Sequence, residues 1–223
     1  MPKLSLPVRL ALLVAGTMLP LIIFAVGTVF NNYEHDRNEA SRRVLETVRS
    51  IRLVLDAEIG RITGGLEVLA LTNTLRDGDF EGFRRIASGF LNQYGEEGVL
   101  LVTDREGRTL FSSSTSDPSQ LPSRNNLETL DKVFATKAPQ YSNLFVGSLR
   151  SRPIVTVEVP VLRDGNVVYG ISFSPPMEVF QSIIEKQRPS DDWTISIFDA
   201  QGVSFARVRR ARTFAATRSS ASA

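Results

Sequence analysis

Cysteine is absent from the 223 residues, and histidine and tryptophan each occur once. Without thiols the chain has no disulfide, no thiolate metal centre and no cysteine nucleophile. His35 is the only imidazole, set among Tyr33, Glu34, Asp36 and Arg37, so neither a Ser-His-Asp triad nor a multi-histidine metal cluster can be assembled. No Gly-x-Ser-x-Gly elbow or phosphate-binding loop occurs. A carboxylate pair such as Asp104 with Glu158 can be imagined as an acid–base couple, but no motif supports it. The expectation is therefore no catalytic residue, no metal and no cofactor. An excess of one charge is also missing: 26 basic against 24 acidic residues leave +2, which points to no nucleic-acid partner.

What is present begins with an uncharged run, Leu10 to Phe30, LALLVAGTMLPLIIFAVGTVF. Its length matches the roughly 20 residues a helix needs to cross a bilayer core. Two readings compete. Lys3, Arg9 and the small residues Ala25-Val26-Gly27 fit a cleavable signal peptide, but a signal's apolar region is only about 7 to 15 residues long, and this one runs on to Phe30, which favours an anchor in the lipid bilayer. Lys and Arg flank it on both sides, so the default topology, a short inner N-terminus with the bulk of the chain outside, rests on its position at the start.

Past the anchor, Val44, Val48, Ile51, Leu55, Ile59, Ile62, Leu66 and Leu69 recur at steps of three and four with charged residues between them. This spacing predicts one long amphipathic helix, able to pack a sheet, to pair with a second copy, or both. Arg76-Asp77-Gly78-Asp79 reads as the turn that ends it. A second helix is expected from Phe80 to Tyr94, capped by Gly95. The period then changes to that of strands, at Val99 to Thr103, Thr109 to Ser112, Tyr141 to Val146, Ile154 to Leu162 and Val167 to Phe173. Between them lie a Ser-, Pro- and Asn-rich loop, Ser113 to Asn126, and a helix at Leu127 to Lys137. The helix Met177 to Lys186 and strands at Trp193 to Phe198 and Val203 to Arg207 follow. VLLVTDREGRTLFS and ISIFDAQGVSFAR share a strand, an Asp, a Gly-containing turn and a second strand, so a second module begins here.

The fold class expected is α+β: a transmembrane helix, a long amphipathic helix, a PAS-like five-stranded antiparallel module and the start of another. The expected divisions are 1–9 cytoplasmic, 10–30 spanning, 31–78 stalk or wall helix, 79–188 first module, 189–207 second module begun, and 208–223 basic tail. That ending, RVRRARTFAATRSSASA, holds no acidic residue. It reads either as a frameshift or truncation in a GC-rich gene or as a native cationic tail.

The order of elements, with LALTNTLRDGDFEGFRRIASGFLNQYGEEGVLLVTDREGRTLFSS, RPIVTVEVPVLRDGNVVYGISFSPPMEVFQSII and DDWTISIFDAQGVSFAR, resembles the double Cache sensor region of bacterial membrane-bound histidine kinases of the HWE and PAS-containing kind. The resemblance covers about residues 31 to 207. It implies an extracytoplasmic domain, a PAS-like sheet on a long helix and a small-molecule pocket in the membrane-distal module. The same region also serves chemoreceptors and diguanylate cyclases. In the family a completed second module and a second span precede the kinase; none of these, and no His-box or ATP lid, is legible here, so a membrane-anchored scaffold or a remnant is the rival reading. Amino-acid-binding members carry an Arg, Trp and Tyr cluster in this module, and no Trp precedes Trp193.

Alternation places Val155, Val157, Val159 and Val161 on one face of a strand and Thr156 and Glu158 on the other. Val167, Tyr169, Ile171 and Phe173 likewise oppose Val168, Gly170, Ser172 and Ser174. If the apolar face covers the long helix, the polar face lines a cavity with Tyr141, Asn143, Arg150 and Arg152 at its rim. The candidate ligand residues are thus Asp104, Tyr141, Asn143, Arg150, Arg152, Thr156, Glu158 and Ser172. The arginines suit a carboxylate, so an organic acid is the expected partner, with a second copy of the chain along the long helix.

Overall fold

The computed structural model describes residues 6–121, 123–187 and 193–209. The chain divides into two compact units, Met1–Ser50 and Ile51–Ala223. Helix α1, Leu6–Ala70, supplies the described part of the first unit and opens the second. Leu10 to Phe30 is helical backbone, but the side chains of 10–15, 20, 22 and 25–30 lie outside the described residues. Among the described residues no helix is long and apolar enough to cross a membrane. The basic tail from 210 onward also lies outside them.

In the second unit α1 buries Ile62, Leu66 and Leu69, one stripe at helical spacing. The helix ends at Ala70, earlier than the expected 78, because the Thr72 hydroxyl donates to the Leu69 carbonyl at 2.7 Å and the chain turns into the four-residue α2, Asn73–Arg76. Gly78 takes φ +78, a left-handed conformation that suits glycine. Asp79 then caps α3, Phe80–Leu91, by accepting from the Gly82 N–H at 2.9 Å. This helix is shorter than the expected run to Tyr94. Gly95 does adopt φ +67, three residues beyond the Asn92 cap.

Strands β1 (Val99–Thr103) and β2 (Thr109–Ser112) form a hairpin at the expected bounds. Helix α4, Leu127–Thr136, ends on Lys137, whose left-handed φ of 54° lets its N–H reach the Val133 carbonyl. The single strand expected at Tyr141 to Val146 is two short pieces, β3 (Gln140–Tyr141) and β4 (Phe145–Val146), and that expected from Ile154 is likewise β5 (Pro153–Ile154) and β6 (Val157–Arg163). The splits have a common cause. Ser142 and Thr156 bond each other, backbone N–H to carbonyl at 3.0 Å and Thr156 N–H to Ser142 Oγ at 2.8 Å, while Leu144 N–H turns away to Asp199. The chain leaves the main sheet there and closes a separate β4–β5 hairpin.

With β7, Asn166–Ser174, the main sheet runs β2-β1-β7-β6-β3, its neighbours antiparallel. Its register puts Val157 opposite Phe173 and Val159 opposite Ile171, with Leu100 and Val102 on β1 completing the row. That face packs on α1, α2 and α3 through Ile62, Leu66, Leu75 and Phe83. Burying side chains of this kind contributes roughly 1.5–3 kcal/mol each. The opposite face carries Glu158 beside Ser172, and Pro160 beside Gly170. Helix α4 covers part of it: a Cβ on Gly170 would lie 2.7 Å from Leu130 Cδ1.

Val155 does not join its alternating neighbours. It packs instead in a second cluster, where α5 (Met177–Lys186) meets the hairpin of β8 (Thr194–Phe198) and β9 (Ser204–Arg209) around Ile51, Phe180, Ile184 and Ile197.

Candidate functional site

Where α4 stops covering the polar face, a cavity opens between the sheet and the β4–β5 hairpin. Its floor is Thr156 and Ser172 with Ser174, its apolar walls include Leu101, Phe145 and Ile154, and Glu97, Arg124, Arg150 and Arg152 supply its charge. Its volume is about 50 Å³, room for a few waters at roughly 10–15 Å³ each. The wall is held by the hairpin pairing of Phe145 with Ile154, by the Gly147 N–H on the Arg152 carbonyl at 2.9 Å, and by Asn125 Nδ2 on the Val146 carbonyl at 2.6 Å.

One buried polar atom on this floor has nothing to bond. The Thr156 residue is 5% exposed, and its Oγ1 makes no hydrogen bond within the protein although its backbone N–H does. A buried hydroxyl left unpaired costs about 1–3 kcal/mol.

At the mouth, Arg152 forks onto Glu97. Nη1 donates to the Glu97 carboxylate and Nη2 to its backbone carbonyl at 3.1 Å. Arg150 Nη1 stands 3.7 Å from the same carboxylate oxygen, and its Nη2 donates to the Glu96 carbonyl at 3.1 Å. These guanidinium groups hold the Glu97 carboxyl below the usual glutamate range, chiefly through the Arg152 hydrogen bond.

Deeper in, Arg124 and Glu158 form a bidentate pair, Nη1 to Oε1 and Nη2 to Oε2 both at 2.7 Å, with side chains 5% and 0% exposed. Arg124 Nε also donates to the Asn126 carbonyl at 2.8 Å, which pins the loop to α4's start. Burial pushes the Glu158 carboxyl up, and Arg124 opposes the shift without cancelling it.

Four of the eight candidate residues, Arg150, Arg152, Thr156 and Ser172, therefore line one cavity. The other four do not. Glu158 lies on the expected face, but both its oxygens are taken by Arg124. Asp104 shapes the β1–β2 turn, accepting from the Glu106 and Arg108 N–H groups and from Arg108 Nε. Tyr141 is more than half exposed, with its hydroxyl 3.4 Å from Thr63 Oγ1 on α1. Asn143 sits between β3 and β4, away from the lining. The sequence reading missed Arg124, in a loop whose composition announces only irregularity, and Glu97, whose role depends on two arginines more than 50 residues later.

No family model matches the chain, and no curated protein matches it. Solved structures do. The ligand-binding domain of the Campylobacter jejuni chemoreceptor Tlp3 in complex with L-valine aligns with TM-score 0.52 and 15% identity, covering 73% of this chain and 68% of that one. The sensor domain of the V. cholerae histidine kinase DctB aligns with TM-score 0.51 and 20% identity over 79% and 68%. The Pseudomonas aeruginosa PAO1 chemoreceptor PctC ligand-binding domain, in complex with GABA, gives 0.50 and 16% over 72% and 70%. The fold is that of bacterial sensor domains. Its long helix and antiparallel sheet are similar to those of Cache sensors, as the order of elements implied. At these identities the likeness concerns the fold.

Proposed function

We propose that this chain is the extracytoplasmic sensing part of a membrane-bound signal-transduction receptor and that it binds a small organic anion in the cavity between the sheet and the β4–β5 hairpin. The observation that carries the reading is the unpaired, buried Thr156 hydroxyl on the floor of a cavity with Arg150 and Arg152 at its mouth. The similar Tlp3 and PctC domains are in complex with L-valine and GABA, which favours a small-molecule ligand here too. Histidine-kinase output follows from the resemblance of the sequence; chemoreceptor and diguanylate cyclase outputs are the alternatives. Leu10 to Phe30 is the proposed anchor, on the strength of its length and lack of charge.

A second copy is the proposed partner of α1. Leu53, Val68 and Leu71 are each about 70% exposed. With Ala57, Gly60 and Gly64 they form a stripe opposite Ile62 and Leu66, and a Cβ at either glycine would meet nothing within 4 Å. Such a stripe suits close helix pairing.

The test is a thermal-shift screen of the full chain against small carboxylates and amino acids, repeated on Thr156→Val. A saturable rise in melting temperature that the variant loses supports the reading. A ligand that stabilises both proteins equally places binding elsewhere, and no response from any compound removes the anion-sensing proposal.

A further inference from the structure

We infer that Glu97 acts as a built-in counter-anion that restricts the cavity to ligands of a single negative charge. The inference rests on the cavity being the ligand site, as proposed above.

The charged groups on the cavity and its floor are Arg124, Arg150, Arg152, Glu97 and Glu158. Arg124 and Glu158 neutralise each other in a closed bidentate pair, which offers the ligand no net charge. At the mouth two guanidinium groups share one carboxylate, that of Glu97, so one positive charge is left over. A ligand bearing one carboxylate completes this balance. A ligand bearing two brings its second negative charge toward Glu97, and like charges at such spacing oppose binding.

The contact is also positioned to yield. Glu97 precedes β1, its side chain is 56% exposed, and the arginines it holds are themselves part-exposed at 36% and 39%. Exposed pairs of this kind contribute little to stability, so their value as a charge filter is separable from the fold. Arg152's grip on the Glu97 backbone carbonyl, independent of the carboxylate, keeps the guanidinium at the mouth when the side chain changes.

The experiment compares propionate with malonate, which share a three-carbon length and differ by a carboxylate in place of a methyl. Calorimetric titration of the full chain is expected to show propionate binding more tightly than malonate. In Glu97→Gln the preference moves toward malonate by roughly tenfold, the effect of removing one partly screened like charge. Glu97→Asp, which keeps the charge, retains the wild-type preference. Arg152→Gln weakens both acids. If both acids bind and Glu97→Gln leaves their ratio unchanged, the charge-filter role is overturned while the cavity remains a ligand site. If neither acid binds wild type or variant, the organic-anion reading falls and this inference with it. Circular dichroism of each variant confirms that the comparison is between folded proteins.

Discussion

The carboxylate of Asp199, in the turn between β8 and β9, accepts a 2.9 Å hydrogen bond from the backbone N–H of Leu144, 55 residues earlier. Its other oxygen takes the N–H groups of Gln201 and Val203 at 2.9 and 2.8 Å. Asp104 repeats the motif in the β1–β2 turn, one oxygen accepting from Glu106 and Arg108 N–H at 3.1 and 2.8 Å. What differs is the spare oxygen. In Asp104 it closes locally on Arg108, whereas in Asp199 it reaches Leu144, the neighbour of cavity-wall residue Phe145. The second hairpin is thereby tied to the edge of the candidate site.

Replacing Asp199 by Ala should free the Leu144 amide. Hydrogen exchange there is expected to accelerate by about tenfold or more, because a backbone N–H that loses its partner opens with the local segment. Unchanged protection at Leu144 in D199A would mean the tie is not made in solution.

Acid should undo the same tie. The Asp199 carboxyl lies below the usual aspartate range, first because of the Leu144 N–H and then those of Val203 and Gln201, against an opposing effect of desolvation. A depressed folded pKa gives stability that is present above the unfolded value and lost as pH falls through the folded one. Carboxyl NMR titration should find Asp199 among the more acidic aspartates, with Leu144 protection falling over the same pH range. A midpoint at or above the ordinary aspartate value refutes this.

Arg124→Met strands the Glu158 carboxylate in the interior and should destabilise by about 3–5 kcal/mol, whereas the double change Arg124→Met with Glu158→Met should recover most of the loss. Without Arg124, burial raises the Glu158 carboxyl further. The folded state then holds its proton above the unfolded value, so the stability of R124M falls as pH rises from the acid side toward neutrality. Denaturant titrations at several pH values check both points, and a double variant no more stable than R124M would show that the pair is not coupled.

Gly170→Ala tests the closure of α4 over the sheet. A Cβ there would stand 2.7 Å from both Glu158 Oε1 and Leu130 Cδ1, and both neighbours are fully buried. Overpacking of this kind costs about 1–3 kcal/mol. Chemical denaturation should register that loss; wild-type stability would mean α4 shifts freely.

Thr156→Val should separate stability from binding. The unpaired hydroxyl contributes nothing to the free protein, so removing it is expected to be neutral or stabilising by up to about 1 kcal/mol. A clear loss of melting temperature would show that the hydroxyl has a partner after all.

Much of the fold was legible in the chain because its signals are local. A short apolar run closed by Arg105-Glu106-Gly107 marks the β1–β2 hairpin, alternation marks β7, the period of three and four marks α1, and Asp164-Gly165 announces the turn between β6 and β7, where both residues take positive φ. The strand from Tyr141 to Val146 was misread for the opposite reason. Nothing local in Ser142-Asn143-Leu144 shows that Thr156 and Asp199 will claim its backbone. The site divides the same way: Thr156, Ser172 and the two arginines follow from strand parity and charge, while Glu97 and Arg124 acquire their roles from distant partners.

By itself the sequence determined the α+β fold class, through an order of helices and strands that places a polar face beside an apolar one. Tertiary structure decided which polar groups are spent and which remain. Ionic partners such as Arg124 with Glu158, and Arg152 with Glu97, are separated by 34 and 55 residues, and composition and spacing carry no record of such pairing. Once the pairs close, the Thr156 hydroxyl remains unpaired and one positive charge at the mouth remains unbalanced, and the proposed anion site rests on those two features.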